Sequence, residues 1–461
     1  MNRKILKIQA IIMSLLTMFH AAFAEQPNII LILTDDLGYG DLGMTGHPYI
    51  KSPNIDRLAA EGLFFEQGYM SSAWCAPSRA AIMGGYFPAR YFQSDHELDY
   101  NKPTLASVLK DAGYTTAHYG KWHMSGRGKT DPTPDMYGFE ESFISNGNPK
   151  NGGWTPEERK QPHWREMTTS RYIDLSIDFI TRKKDVPFFV NVWLFPTHSY
   201  IDPTPEMLEV YKDLEVSIDD FENPLQKEFL EFIAQHGSVQ DAMRAYCSDV
   251  TFLDSEIGRL LEKLKELDLK DNTIVIFSSD NGPAPIFKKA GLPKRYKETP
   301  TLLNNVGSAG PYRNRKVSLY DGGTHVPFIV RWPKKIKPGK VDPTTIFTGV
   351  DLMPTLAVFA GAQVPGDLDG EDLSGAWLAE PVQRQKYHYW NDRPGWSTLR
   401  HKQWKAHLNK GEFQLYDIYK DKSESKNVAD QHPELSKEYL SALKKWDSSV
   451  VPNYKSKDKN K

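Results

Sequence analysis

Three short apolar runs, each ending abruptly in polar or charged residues, constrain this chain more than any other feature. Ile29 to Leu33 precedes Asp35 and Asp36, Phe188 to Phe195 precedes His198, and Thr273 to Phe277 precedes Asp280 and Asn281. Runs of this length without alternation suit strands buried on both faces of a sheet, and helical stretches between them suit parallel βαβ connections. Ser248 to Leu267 is such a stretch: Val250, Leu253, Ile257, Leu260 and Leu264 recur at three and four with charges between them. The pattern predicts an α/β fold, a large mixed, mostly parallel sheet sandwiched by helices. In open α/β sheets ligands bind beyond the carboxyl ends of the strands, which is where the polar residues fall.

The 461 residues correspond to about three domains, or two large ones. After about Gly370 the pattern changes to short segments rich in Tyr, Trp and Lys, such as Tyr387 to Trp390 and Trp404 to Leu408, followed by a helix from Pro433 to Trp446. We therefore divide the chain into residues 1–24, a body from 25 to 368, and a smaller α+β subdomain from 369 to 461 with a small antiparallel sheet and a terminal helix. A composition of 39% apolar and 25% charged residues excludes global disorder. A net charge of −2 leaves no surplus for gripping a nucleic-acid backbone, so any anion must be bound locally. Cys75 and Cys247 are the only two cysteines, too few for a disulfide framework. Cys247 lies in no motif, is placed at the start of a helix, and reads as a packing residue.

Residues 1–24 have the layout of an export signal: Arg3, Lys4 and Lys7, an apolar run from Ile8 to Phe19, then Ala22-Phe23-Ala24. Cleavage after Ala24 would remove three cations and no acids, taking the balance from −2 to −5. The run is short for a membrane span and no second one follows. The expectation is an exported protein, periplasmic or secreted, with no stable membrane span.

The chemistry-bearing residues cluster at the predicted strand exits. Cys75 stands in Trp74-Cys75-Ala76-Pro77-Ser78-Arg79. Pro77 is tolerated in a first helical turn, so Cys75 is expected at a helix N-terminus, where free N–H groups favour negative charge. Arg79, one turn on, can fork two donors onto an oxyanion. Asp35, Asp36, Asp280 and Asn281 are hard oxygen donors that suit Ca²⁺ or Mg²⁺ rather than zinc. Lys121 and His123 in Gly120-Lys121-Trp122-His123, His198 after Pro196-Thr197, and Lys316 before Asp321-Gly322-Gly323 add the acid/base groups and cations that transfer around an anion requires.

Taken in order, these motifs resemble the type I, formylglycine-dependent sulfatases of the alkaline-phosphatase-like superfamily, over roughly Pro27 to Asn427 and including Leu415-Tyr416-Asp417. The resemblance implies that Cys75 is oxidised to formylglycine (3-oxoalanine) by a formylglycine-generating or anaerobic sulfatase-maturing enzyme, and that the hydrated aldehyde supplies the attacking oxygen. It implies one Ca²⁺ on Asp35, Asp36, Asp280, Asn281 and the modified Cys75, with Arg79, Lys121 and Lys316 around the sulfate. His198, with Lys316, would protonate the leaving alcohol, and His123 would remove the diol proton. Gly84-Gly85-Tyr86 departs from the family's usual Thr-Gly-Arg element, Tyr200 from a common proline, Asp321 from glutamate and His325 from arginine.

Substrate-binding candidates lie in the insertion from Asn146 to Arg171, with Trp154, Arg159, His163, Trp164 and Arg165, and in Trp390 and Arg393, because aromatic faces stack on sugars and cations meet further sulfates. Asp95, His96 and His325 complete the set. The expected substrate is a sulfated polysaccharide or oligosaccharide. Two alternatives stay open, a phosphate or phosphonate ester hydrolase of the same superfamily and a catalytically silent protein that binds sulfated glycans. Mass spectrometry separates the last of these: conversion to formylglycine makes the Cys75 peptide about 18 Da lighter before hydration. An unmodified peptide in an inactive native-host preparation would overturn the sulfatase expectation.

Overall fold

Successive strand residues point to opposite faces, so Ile30 and Ile32 enter one apolar core while Ile29, Leu31 and Leu33 enter another. All five are fully buried, which is why this segment shows no alternation of polar and apolar residues. The computed structural model describes residues 26–450 apart from 92–97, 127, 129, 149–152, 156, 200, 286–304, 379, 381 and 394. The proposed export signal, Asp95, His96, Tyr200 and the Lys-rich C-terminal end therefore lie outside the described residues.

The strands of the body are β1 (Asn28–Thr34), β2 (Leu63–Phe65), β3 (Gly68–Tyr69), β4 (Thr115–Lys121), β5 (Glu141–Ser145), β6 (Phe188–Trp193), β7 (Thr273–Ser279), β8 (Phe328–Arg331), β9 (Lys340–Asp342) and β10 (Phe347–Thr348). Eight of them form one sheet in the order β5-β4-β6-β1-β7-β8-β2-β9, while β3 and β10 pair separately. The run β5-β4-β6-β1-β7 is parallel throughout, and β8 is antiparallel to both of its neighbours. The large mixed, mostly parallel sheet is thus as anticipated.

Helices cover both faces. On one side are α1 (Pro53–Ala60), α4 (Trp164–Arg182) and α6 (Val239–Glu266); on the other are α2 (Cys75–Gly84), α3 (Leu105–Asp111) and α7 (Leu352–Phe359). α5 (Pro224–His236) leads into α6, whose Val250, Leu253, Ile257, Leu260 and Leu264 are all fully buried. This helix begins nine residues before the expected Ser248, with Ser238 accepting a hydrogen bond from the Asp241 amide at its start. Ala242, Met243 and Tyr246 extend the buried stripe backwards. Cys247 accordingly sits inside the helix rather than at its start, fully buried in the core. No helix among the described residues is long and apolar enough to cross a membrane.

Beyond the body, β11 (His388–Arg393), β12 (Trp396–His401), β13 (Trp404–Asn409) and β14 (Glu412–Asp417) form an antiparallel meander. The terminal helix α8 (Pro433–Val450) packs Tyr439 and Leu443 against Leu399, Ala406 and Leu415 of this sheet. A buried polar junction joins the sheet to the body. Lys405 on β13 lies 2.6 Å from Asp321 Oδ1 and 3.4 Å from Glu424 Oε1, with all three side chains fully buried. Tyr69 donates to Asp321 at 2.9 Å, and His407 Nε2 lies 2.8 Å from Glu424. The junction braces the segment that follows Lys316. Lys405→Met, which leaves two buried carboxylates without their cation, is expected to lower stability by about 3–5 kcal/mol; urea unfolding followed by tryptophan fluorescence measures it.

Candidate active site

Parallel register assembles the site. Thr34 on β1 pairs with Ser279 on β7, so Asp35-Asp36 and Asp280-Asn281 leave neighbouring strands side by side. On the other flank, Leu33 pairs with Trp193 of β6, and Trp193 pairs with Gly120 of β4. His198 and Lys121 therefore emerge at the same edge. Gly120 permits the close approach that aims Lys121, because a Cβ there would lie 1.8 Å from the Trp193 carbonyl oxygen.

Asp36 has φ 67°, in the left-handed region that short polar side chains tolerate. This turn breaks the strand alternation that would send adjacent carboxylates to opposite faces. Asp35, Asp36 and His198 offer ligand atoms within 4.8 Å of one another, as do Asp35, Cys75 and Asp280. Cys75 is the first residue of α2, and its Sγ lies 3.4 Å from His123 Nδ1.

Three cations answer three carboxylates here. Arg79 Nε donates to Asp280 Oδ2 at 2.8 Å and Nη1 to the Lys121 carbonyl at 3.2 Å, with the guanidinium over the Trp193 ring. Lys121 Nζ is 2.6 Å from Asp35 Oδ2, and Lys316 Nζ contacts Asp36 Oδ1. Two backbone bonds hold the Lys316 loop: Lys316 N donates to Pro283 O at 3.0 Å, and Val317 N to Ala73 O at 2.9 Å, just before Cys75. Val317 takes φ 70°, which is unfavourable for a β-branched residue.

Burial alone would raise the Asp35 carboxyl, but Lys121, His198, Arg79 and Lys316 outweigh it and hold it well below the usual range. For Asp280 burial dominates Arg79, and the carboxyl rises to about 6. Burial would lower Lys316, yet Asp36 and its neighbours raise it above an ordinary lysine. Desolvation lowers His198 to about 4, against the pull of Asp35 and Asp36.

The donor set fits a divalent cation. Asp35 Oδ1 and Asn281 Oδ1 are buried acceptors with no hydrogen-bond partner, beside two further carboxylates. Asn281 spends its amide on Asp36 Oδ1 and the Gly282 carbonyl, both at 2.8 Å, which leaves its oxygen for a ligand. Clustered hard oxygens with unused lone pairs suit Ca²⁺ or Mg²⁺.

A sulfatase family model matches residues 27–362, spanning all of these groups. The chain belongs to the sulfatase family. It is a sulfuric ester hydrolase. A second model, for the C-terminal part of N-sulphoglucosamine sulphohydrolase, matches residues 310–447. This sulfatase is 28% identical to an N-acetylgalactosamine-6-O-sulfatase of Bacteroides thetaiotaomicron, over 91% of this chain and 93% of the relative. It is 30% identical to the N-acetylgalactosamine-6-sulfatase of Canis lupus familiaris, over 84% and 73%. Among solved structures, Ps i-CgsB in complex with k-i-k-neocarrahexaose superposes with a TM-score of 0.74 at 25% identity, covering 92% and 93% of the two chains. The phosphonate monoester hydrolase of Agrobacterium radiobacter, at 17% identity and a TM-score of 0.65, shares the fold.

Among the described residues expected to bind substrate, Arg165 contacts His198, and most of the others pair elsewhere. Trp154 donates to the Tyr172 hydroxyl at 2.8 Å and packs edge-on against Phe143 and Trp164, so the insertion's half-buried tryptophans anchor it to the core. His163 is tied to the Asp202 carbonyl at 2.7 Å, and Arg159 is exposed on a turn at Glu158–Lys160. His325 is buried against Asp321 and the Glu66 carbonyl, and Trp390 is buried with its indole N–H on the Met70 carbonyl at 2.7 Å. Arg393 ends β11.

Arg165 reaches the site in a different role. Its Nη1 donates to the His198 carbonyl at 2.8 Å and to the Ser199 carbonyl, and lies 3.1 Å from His198 Nδ1. It positions the histidine. Periodicity gave no signal for this, nor for the brace that joins the two loops: Tyr246 donates to Asp41 Oδ2 at 2.7 Å and to Thr197 Oγ1 at 3.0 Å, and Thr197 donates to the Asp36 carbonyl at 3.1 Å. With His198 as the expected proton donor, Arg165→Ala should reduce turnover of alkyl sulfates about 10–100-fold. Aryl sulfates with acidic leaving groups should be affected far less. Equal losses on the two substrate classes would contradict the positioning role.

Proposed function

We propose that the protein is an exported sulfatase that removes sulfate from a sulfated polysaccharide or oligosaccharide, using formylglycine made from Cys75 and one Ca²⁺. The observation that carries this reading is the seating of Cys75 at a helix start, 3.4 Å from His123 and within ligand distance of Asp35 and Asp280, with three cations around it. The names of the relatives, N-acetylgalactosamine-6-sulfatases, and the neocarrahexaose bound to a structural neighbour support a sulfated glycan as substrate.

Asp35, Asp36, Asp280 and Asn281 would hold the Ca²⁺, which when bound polarises a sulfate oxygen as a Lewis acid. Formylglycine at position 75 would supply a hydrate oxygen as nucleophile, with a route to expel sulfate that an ordinary hydroxyl lacks. The chain's own groups do the rest. Arg79, held in place by Asp280, presents positive charge beside position 75. Lys121 and Lys316 place their ammonium groups where negative charge develops on the sulfate oxygens. His123 Nδ1 is placed to take a proton from the side chain at 75, and His198 Nε2, held from the far side by Arg165, would pass a proton to the leaving alcohol together with Lys316, whose ammonium stays protonated.

Two comparisons test the reading. Purified protein carrying formylglycine should turn over 4-nitrophenyl sulfate far faster than 4-nitrophenyl phosphate; the reverse order would favour the phosphoester alternative. Chelation should abolish turnover and lower the thermal midpoint, and added Ca²⁺ should restore both, with the midpoint rising with the logarithm of free Ca²⁺. Full activity and an unchanged midpoint after exhaustive chelation would remove the metal from the proposal.

A further inference from the structure

The insertion's tryptophans are half-buried and packed against the core, and the walls of the Lys316 loop offer another place for carbohydrate to be read. A cavity of about 470 Å³ lies between this loop and α5, with Lys316 itself in its lining. That volume falls within the usual range of small-molecule sites, about 300–1,000 Å³, and far exceeds what a sulfate group requires.

We propose that this cavity is the subsite for the sugar ring bearing the sulfate, and that the saccharide continues along the N-terminal half of α5. The inference rests on the sulfatase reading and adds to it where the carbohydrate lies. Leu225, Glu228, Phe229 and Phe232 share one face of α5 by their spacing of three and four and line the cavity together. Phe229 is buried beneath Arg315, whose guanidinium carbon is 3.5 Å from the ring centroid. Phe232 is only half-buried and stacks on His236 at 4.2 Å, which steadies a ring whose other surface is available to a sugar.

Polar groups suited to hydroxyls complete the walls. Glu228 is exposed and makes no hydrogen bond or ion pair among the described residues. Asn314, exposed across the cavity, donates once to Ser318 Oγ at 3.2 Å and keeps its carbonyl oxygen for a ligand. An aromatic platform beside unspent planar polar side chains is the chemistry that recognises a polyhydroxylated ring. A second cavity, of about 560 Å³, shares Asn223 and Gln226 with the first and includes Glu222. Asn223 caps α5 through the Leu225 amide, so the boundary between the two cavities is the start of that helix. The second cavity adjoins the first at this wall and gives an occupant longer than a monosaccharide a place to continue.

The test uses Phe232→Ala and Glu228→Gln, neither in the catalytic machinery, with three probes: 4-nitrophenyl sulfate, a tetrasaccharide containing 6-sulfated N-acetylgalactosamine, and k-i-k-neocarrahexaose. Each substitution is expected to raise KM about tenfold for whichever oligosaccharide is hydrolysed, the loss of one stacking or hydrogen-bonding group, with 4-nitrophenyl sulfate unaffected. Unchanged oligosaccharide KM, or equal losses on all substrates, would overturn the subsite. If formylglycine-bearing wild-type protein turns over none of the probes, the sulfatase reading fails instead. The subsite is then decided by calorimetric binding of the two oligosaccharides to Cys75→Ala, with and without Phe232→Ala: weaker binding in the double variant supports it, and equal or absent binding rejects it.

Discussion

Six charged side chains are buried together at the carboxyl edge of the sheet, and the architecture around them follows from keeping those charges paired. Asp35, Asp36 and Asp280 face Arg79, Lys121 and Lys316, all of them 7% exposed or less. Withdrawing a charge from water is expensive unless an opposite charge and further hydrogen bonds replace the lost hydration. Here the replacements come from different parts of the chain: β4 supplies Lys121, α2 supplies Arg79, and the loop before β8 supplies Lys316. None of these elements can shift without leaving a carboxylate uncompensated. The balance is also incomplete in a useful way, because Asp35 and Asn281 each retain a buried oxygen with no partner.

The supports behind this cluster are polar as well. Tyr246 from α6 bridges Asp41 and Thr197, and so joins the loop after β1 to the loop after β6. Arg165 from α4 grips the backbone around His198, with Glu166 and Asp249 nearby. Burial lifts the Glu166 carboxyl to about 7 and raises Asp249 well above its ordinary range. On the opposite side, the Lys405 junction holds the segment after Lys316 against the C-terminal sheet. The small subdomain is therefore part of the scaffold of the site.

How far the site was legible depended on chain locality. Asp35-Asp36, Asp280-Asn281 and His198 could be read because each follows an apolar strand, Lys121 because it stands in Gly120-Lys121-Trp122-His123 at a strand end, and parallel register then carries every strand end to one edge. Cys75 and Arg79 could be read because Pro77 marks a first helical turn. The tryptophans of the insertion are ambiguous in the sequence for a physical reason: an aromatic residue in a polar segment serves equally as a sugar platform or as an anchor, and its neighbours show which contacts it makes. For Trp154 those neighbours are Phe143, Trp164 and Tyr172. Arg165 is legible in the sequence as a cation, but its partners are backbone carbonyls more than thirty residues away.

By itself, then, the sequence determined the sheet, the residues at its carboxyl edge and the chemistry those residue types can perform, because strand burial and helix starts leave periodic or local marks. Packing settled which polar residues face one another and which aromatics lie against the core. Those outcomes depend on contacts between segments far apart in the chain. The Arg165 grip on His198 and the cavity between α5 and the Lys316 loop have no signature within any single segment, since each exists only once two or more segments are packed together.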